Sequence, residues 1–246
     1  MATTLEHNAE ILEDRRVAAY RHLGEVHEDV VSRLVPSGLA WPDSPLGKMR
    51  LIRREGGVLI ATSGLSKFYD PRLHAEHRPA PLDYELCLDI RLDDPRAATD
   101  QALARSWLPS LLYPLADVVA ADWVDLRGAL EKFRAVTLAA PPATREAEAL
   151  AGDDGLVGYL VGLPVAGANI DLHFYINGFY RDLGYGLDEC AVGVFPVKPL
   201  TPDEYRFAKE LGNVGGVELA GRFLKRGDGP QHWTGRPSVL LQPSLF

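Results

Sequence analysis

From residue 82 to residue 92 the chain alternates without a break. Leu82, Tyr84, Leu86, Leu88, Ile90 and Leu92 fall on one set of positions, and Asp83, Glu85, Cys87, Asp89 and Arg91 on the other. Successive side chains of a strand point to opposite faces, so a period of two held this long specifies a β-strand with one apolar face. Other strands can be placed around it. Lys48 to Arg54 and Val58 to Ser63 flank Glu55-Gly56-Gly57, the spacing of a β-hairpin. Residues 133–139, 156–165, 170–176 and 189–197 read as four more strands, divided by turns rich in Pro, Gly and Asp.

Helical periods appear elsewhere. Leu12, Ala19, Leu23, Val26, Val30 and Leu34 recur at steps of three, four or seven, which predicts an amphipathic helix, or a pair, over residues 4–34. The proline-rich stretch 36–45 cannot continue it. Leu103, Trp107, Leu111, Leu115 and Val118 predict a long helix to about Asp122, bent at Pro109 and Pro114. Thr201-Pro202-Asp203-Glu204 has the residues of a helix start with a capping box, Gly212 ends that helix, and Val214 to Leu224 forms a second. These elements alternate irregularly, without the repeated strand-helix-strand rhythm of a doubly wound parallel sheet. The expectation is an α+β fold, a mixed or antiparallel sheet packed with helices. It forms one domain over residues 1–225, helical segment 4–34 included, with an extended arm over 226–246.

The formal net charge of −8 repels a phosphate backbone and no Lys/Arg cluster offsets it, so nucleic acid is not an expected partner. The first residues carry acids and no apolar h-region, and no window reaches the length of a membrane span, so a cytoplasmic protein is expected. Cys87 and Cys190 each lie in an apolar β-like run and read as reduced core thiols.

No complete catalytic constellation emerges. His74 and His77, with Asp171 and His173, are the best metal candidates, but a His pair three apart in a proline-flanked loop departs from the HExxH spacing and reads as solvated. Ser66 follows Gly64-Leu65 with the first glycine of a nucleophile elbow and lacks the second, so a turn held by the serine side chain is the stronger reading. Gly162 to Gly167 and Gly212 to Gly216 lack a phosphate-loop Lys, and the Asp93-Asp94 and Asp153-Asp154 pairs sit in turns. The expectation is therefore no catalytic residues, no metal and no cofactor. Half of the aromatic series Phe174, Tyr175, Phe179, Tyr180 and Tyr185 is a candidate partner surface.

Three stretches taken together resemble the suppressor of fused domain family. They are Ala61-Thr62-Ser63-Gly64-Leu65-Ser66, Tyr84-Glu85-Leu86-Cys87-Leu88, and Phe195-Pro196-Val197-Lys198-Pro199-Leu200-Thr201-Pro202-Asp203-Glu204. The resemblance covers about Leu51 to Leu224, while residues 67–81 and the arm depart from it. It implies a mixed α/β domain that works by binding another protein, and in its bacterial form an immunity protein that neutralises a cognate toxin. The contact residues and the oligomeric state are left open. Two other readings stand beside it. One is a metal-dependent or serine hydrolase using His74 and His77 or Ser66. The other is a scaffold that self-associates through Trp233, Val239, Leu240, Leu241, Leu245 and Phe246 of the arm.

Overall fold

The structure is a computed structural model, and the residues it describes are 13, 14, 16–32, 47–66, 82, 84–122, 124–163, 174, 175 and 191–241. Their strands are β1 (Glu25–Val31), β2 (Lys48–Arg54), β3 (Gly57–Ser63), β4 (Tyr84–Arg91), β5 (Val136–Ala140), β6 (Val157–Val161), β7 (Phe174–Tyr175) and β8 (Ala191–Pro199). The helices are α1 (16–21), α2 (Asp100–Arg105), α3 (Leu112–Asp122), α4 (Leu126–Phe133), α5 (Arg145–Glu148), α6 (Pro202–Leu211) and α7 (Asn213–Arg226). Seven strands run in the order β1-β2-β3-β4-β8-β6-β5, and β7 pairs onto β8. All pairings are antiparallel except β4 with β8, which places Tyr84 beside Gly193 and Leu88 beside Val197. The α+β expectation holds, with a mixed sheet.

The hairpin forms at its expected place, in register from Lys48 opposite Ser63 to Arg54 opposite Gly57. β4 is the alternating strand read from the sequence, but both of its faces are buried. Tyr84, Leu86, Leu88 and Ile90 join the core formed with α2, α3 and the start of α4, through Leu103, Leu112, Leu115, Val119 and Leu126. On the other face Cys87 packs with Tyr20 of α1 and with Ile52, Leu59 and Val194. Farther along that side of the sheet, α6 and α7 cover Leu160 with Tyr205, Leu219 and Phe223. The sheet is thus the middle layer of three. Glu85 and Asp89, the polar alternates of β4, have to find partners inside the protein.

Two expectations are corrected. The segment 4–34 is not helical throughout, because residues 25–31 form β1, which pairs antiparallel with β2 across an irregularity between Val26 and Val30. Val26 and Val30 are four apart and fit a helical stripe, yet β-branched residues also suit a strand. The break falls at Gly24, where any Cβ would collide with the Arg53 carbonyl, so only glycine lets the chain turn against β2 there. The predicted helix to Asp122 is three pieces: α2, a 3-10 helix at Leu108–Leu111 holding Pro109, and α3, whose first turn takes Pro114.

The helix start at Thr201 is built as expected on one side. The Glu204 carboxylate accepts from the Thr201 N–H at 2.9 Å, and Leu200 is buried with Tyr205 in one cluster. The Thr201 hydroxyl donates to Asp203 Oδ1 at 2.6 Å. Thr201→Ala removes this hydroxyl bond and is expected to cost about 1 kcal/mol, the net worth of one side-chain hydrogen bond, read as a shift in the urea midpoint with an unchanged slope.

Candidate functional site

The turn after β3 explains Ser66. Gly64 has φ 120°, a conformation that suits glycine, and the backbone N–H groups of Gly64, Leu65 and Ser66 converge on one point. That point is occupied by the Glu85 carboxylate, which accepts from them at 3.1, 3.1 and 3.0 Å. The Thr62 and Ser66 hydroxyls donate to the same carboxylate, each at 2.6 Å, and Arg16 Nε lies 3.3 Å from it. Arg16 also donates to the Ser66 hydroxyl at 3.2 Å and to the Ser66 carbonyl at 2.7 Å. Beyond it Glu13 joins Arg50 and the Ser63 hydroxyl. These bonds outweigh burial, the largest influence, and hold the Glu13 carboxyl below its usual range. The Gly-Leu-Ser turn and the Glu-Leu strand are therefore one bonded unit. Ser66 is buried, and its hydroxyl is held between a carboxylate and a guanidinium.

A second polar cluster lies where the sheet splits. β8 runs beside β4 as far as Val197 and then continues beside β6. The C-terminal arm enters the gap: His232 N donates to the Asp89 carbonyl at 2.7 Å and Arg91 N to the His232 carbonyl at 3.2 Å. Asp89 is paired with Arg54, and its carboxyl is still pushed up by burial. The buried Lys198 ammonium donates to the Gln231 carbonyl and lies 4.7 Å from the Phe223 ring centroid. Burial, helped by repulsion from Arg236, lowers its pKa to about 7. Glu204 meets Arg236 in a two-bond pair at 2.8 and 2.5 Å, fully inside the protein. Val239 and Leu240 pack with α6 and α7, and Trp233 lies under Arg91. The described arm therefore packs on its own domain with Val239 buried and Trp233 and Leu240 half-buried, while Leu241 is 76% exposed and Leu245 and Phe246 lie outside the described residues.

The third feature is an exposed face. α7 buries Gly215, Gly216, Leu219, Ala220 and Phe223. Val214, Val217 and Leu224 lie at steps of three and seven on the opposite side and are 71%, 44% and 49% exposed. A Cβ on Gly221, between Val217 and Leu224 on the same stripe, would meet nothing within 4 Å.

Two clefts lie among the described residues. One of about 520 Å³ lies between β1 and α2, where Asp100 pairs with Arg53 at 2.5 Å and His27 stands 3.8 Å away. The other, about 280 Å³, is bridged by Asp154, which accepts from Lys209 at 2.7 Å and Tyr205 at 3.0 Å. The Lys209 bond above all draws the Asp154 pKa to about 2. Asp94 holds the arm through Thr234.

His74, His77, Asp171, His173 and Cys190 lie outside the described residues, as do Phe179, Tyr180 and Tyr185 of the aromatic series. Among the described residues no three His, Cys, Asp or Glu side chains gather as metal ligands, and no helix is long and apolar enough to cross a membrane. Cys87 is a buried free thiol whose pKa burial pushes up, as a core cysteine requires. Comparison with family models, with curated proteins and with solved structures returned no match.

Proposed function

We propose that this chain is a non-catalytic protein-binding domain that engages a partner protein through the outward face of α7. The observation that carries the reading is the stripe of Val214, Val217 and Leu224, three apolar side chains left in water on a helix whose opposite face already fills the core. Gly221 leaves room for a partner backbone to approach between them. In the bacterial form implied by the suppressor of fused resemblance, that partner is a toxin held inactive by this chain. The buried, doubly bonded Ser66 hydroxyl supports the same side of the choice, since a nucleophile has to reach its substrate.

The test is a pair of substitutions on the exposed face, Val217→Glu and Leu224→Glu, titrated against the product of the adjacent gene. Folding stability should stay within about 0.5 kcal/mol of wild type, as for surface changes away from any cap or pair. Affinity should fall roughly 30-fold or more, the loss of a central apolar contact worth about 2 kcal/mol. Wild-type affinity in both variants, or no complex with the native chain, would remove this reading.

A further inference from the structure

The cluster at the sheet split is arranged as a fastening. Ligand crevices of open sheets lie beyond the carboxyl ends of parallel strands, where neighbouring chains diverge. β4 and β8 are the parallel pair of this sheet, and the gap beyond Leu88 and Val197 is filled by Gln231 and His232 of the arm. Polar ties hold the arm there. Arg236 binds Glu204 and the Pro199 carbonyl, Thr234 binds Asp94 at 3.1 and 3.0 Å, and Arg226 reaches the carbonyls of Pro237 and Ser238.

The same docking leaves polar atoms without partners. Among the described residues, Arg54 Nε, Asp89 Oδ1, both ring nitrogens of His232 and Arg236 Nε are buried with no hydrogen bond. Each loses its water without return, which works against docking. We propose that residues 227–241 form a detachable strap, docked in the split between β4 and β8 and released as the medium acidifies, which uncovers Lys198, Asp89 and Arg54 as a polar crevice.

The charged groups around the split set the sign. Burial keeps Lys198 on β8 at a pKa of about 7 and His232 on the arm at about 3, while the ordinary values are 10.5 and 6.5. Release removes the Gln231 carbonyl and Arg236 from beside Lys198 and opens both groups to water, which moves their pKa values back toward the ordinary ones. The open form then binds more protons than the closed form above pH 7, through Lys198, and again above pH 3, through His232. Acidification therefore favours release in both windows. From α6 and the turn after β4, Glu204 and Asp94 act in the same direction at lower pH. Burial opposes them, but Arg236 on Glu204, and the Arg96 and Thr234 N–H groups on Asp94, hold both below the usual carboxylate range. Asp89 of β4 acts in the opposite sense, since burial raises its pKa and protonation would relieve it. Arg54 is paired with Asp89, Arg226 with Asp228 and Arg236 with Glu204. Between pH 7 and 9 Lys198 is the group of this cluster that titrates.

Amide hydrogen exchange of the full chain, corrected for the intrinsic pH dependence of exchange, tests this. Protection over residues 227–241 should fall about tenfold for each pH unit from 9 to 7, while β2 and β3 keep theirs. Lys198→Met should raise arm protection at pH 7 and flatten the slope to less than twofold. Arm protection independent of pH in the native chain, or lost together with that of β2 and β3, would overturn the proposal whether or not the variant folds. So would a full slope in Lys198→Met.

Discussion

Glu85→Ala is expected to remove about 4 kcal/mol or more of folding stability, a large share of the roughly 5 to 15 kcal/mol that holds a domain folded. The carboxylate is fully buried and accepts three backbone N–H groups and two hydroxyls. Alanine leaves those donors without an acceptor in the interior, each at about 1 to 3 kcal/mol where no other partner is reached. It also leaves Arg16 facing a cavity, since the guanidinium loses the carboxylate 3.3 Å away. Glu85→Gln should be less damaging but still destabilising, because its amide keeps one acceptor oxygen and introduces donors among donors. Urea unfolding measures both. A Glu85→Ala loss below about 1 kcal/mol would mean that the turn after β3 holds its shape without the carboxylate.

Glu204→Ala is expected to cost about 3 to 5 kcal/mol, because it strands Arg236 as an unpaired cation in the protein interior. The same substitution removes the acceptor for the Thr201 and Val239 N–H groups, so the start of α6 and the end of the arm loosen together. The double change of Glu204 and Arg236 to apolar residues of similar volume should recover much of that loss. The pH dependence follows in sign. Burial opposes ionisation, but the Arg236 bond outweighs it and the folded-state pKa lies below the reference 4.5. The stabilisation is therefore fully present above about pH 4.5 and is lost as the pH falls through the lowered value. Chemical denaturation of wild type and Glu204→Ala at pH 7 and at pH 3 should show the gap between them narrowing at the lower pH.

Glu85 and Glu204 show what the sequence could carry and what it could not. The alternation around Glu85 and the cap spacing around Glu204 are local patterns, and both elements form where those patterns put them. Neither pattern contains the partner. Arg16 comes from α1 and Arg236 from the arm, and only the tertiary fold brings them to the carboxylates. For the same reason β4 reads as half-buried, because the layers that cover Glu85 and Asp89 come from distant parts of the chain. β1 was hidden because Val26 and Val30 satisfy a period of four as well as a strand's preference for branched residues. α4 carries one local signal, Asp125, whose side chain accepts from Gly128 N at 2.9 Å. The candidate site on α7 was legible as a helix but not as a surface. Val214, Val217, Leu219, Ala220, Phe223 and Leu224 place apolar groups on both sides, so only the packed structure separates the outer set from the inner one.

Hydrogen exchange across Asn213–Arg226, compared between the free chain and its complex with the adjacent gene's product, tests the binding assignment most directly. The account predicts slowing of at least about tenfold over the turns bearing Val214, Val217 and Leu224, with the Glu85 turn unchanged. A stoichiometric complex that leaves α7 exchanging at its free rate would contradict it.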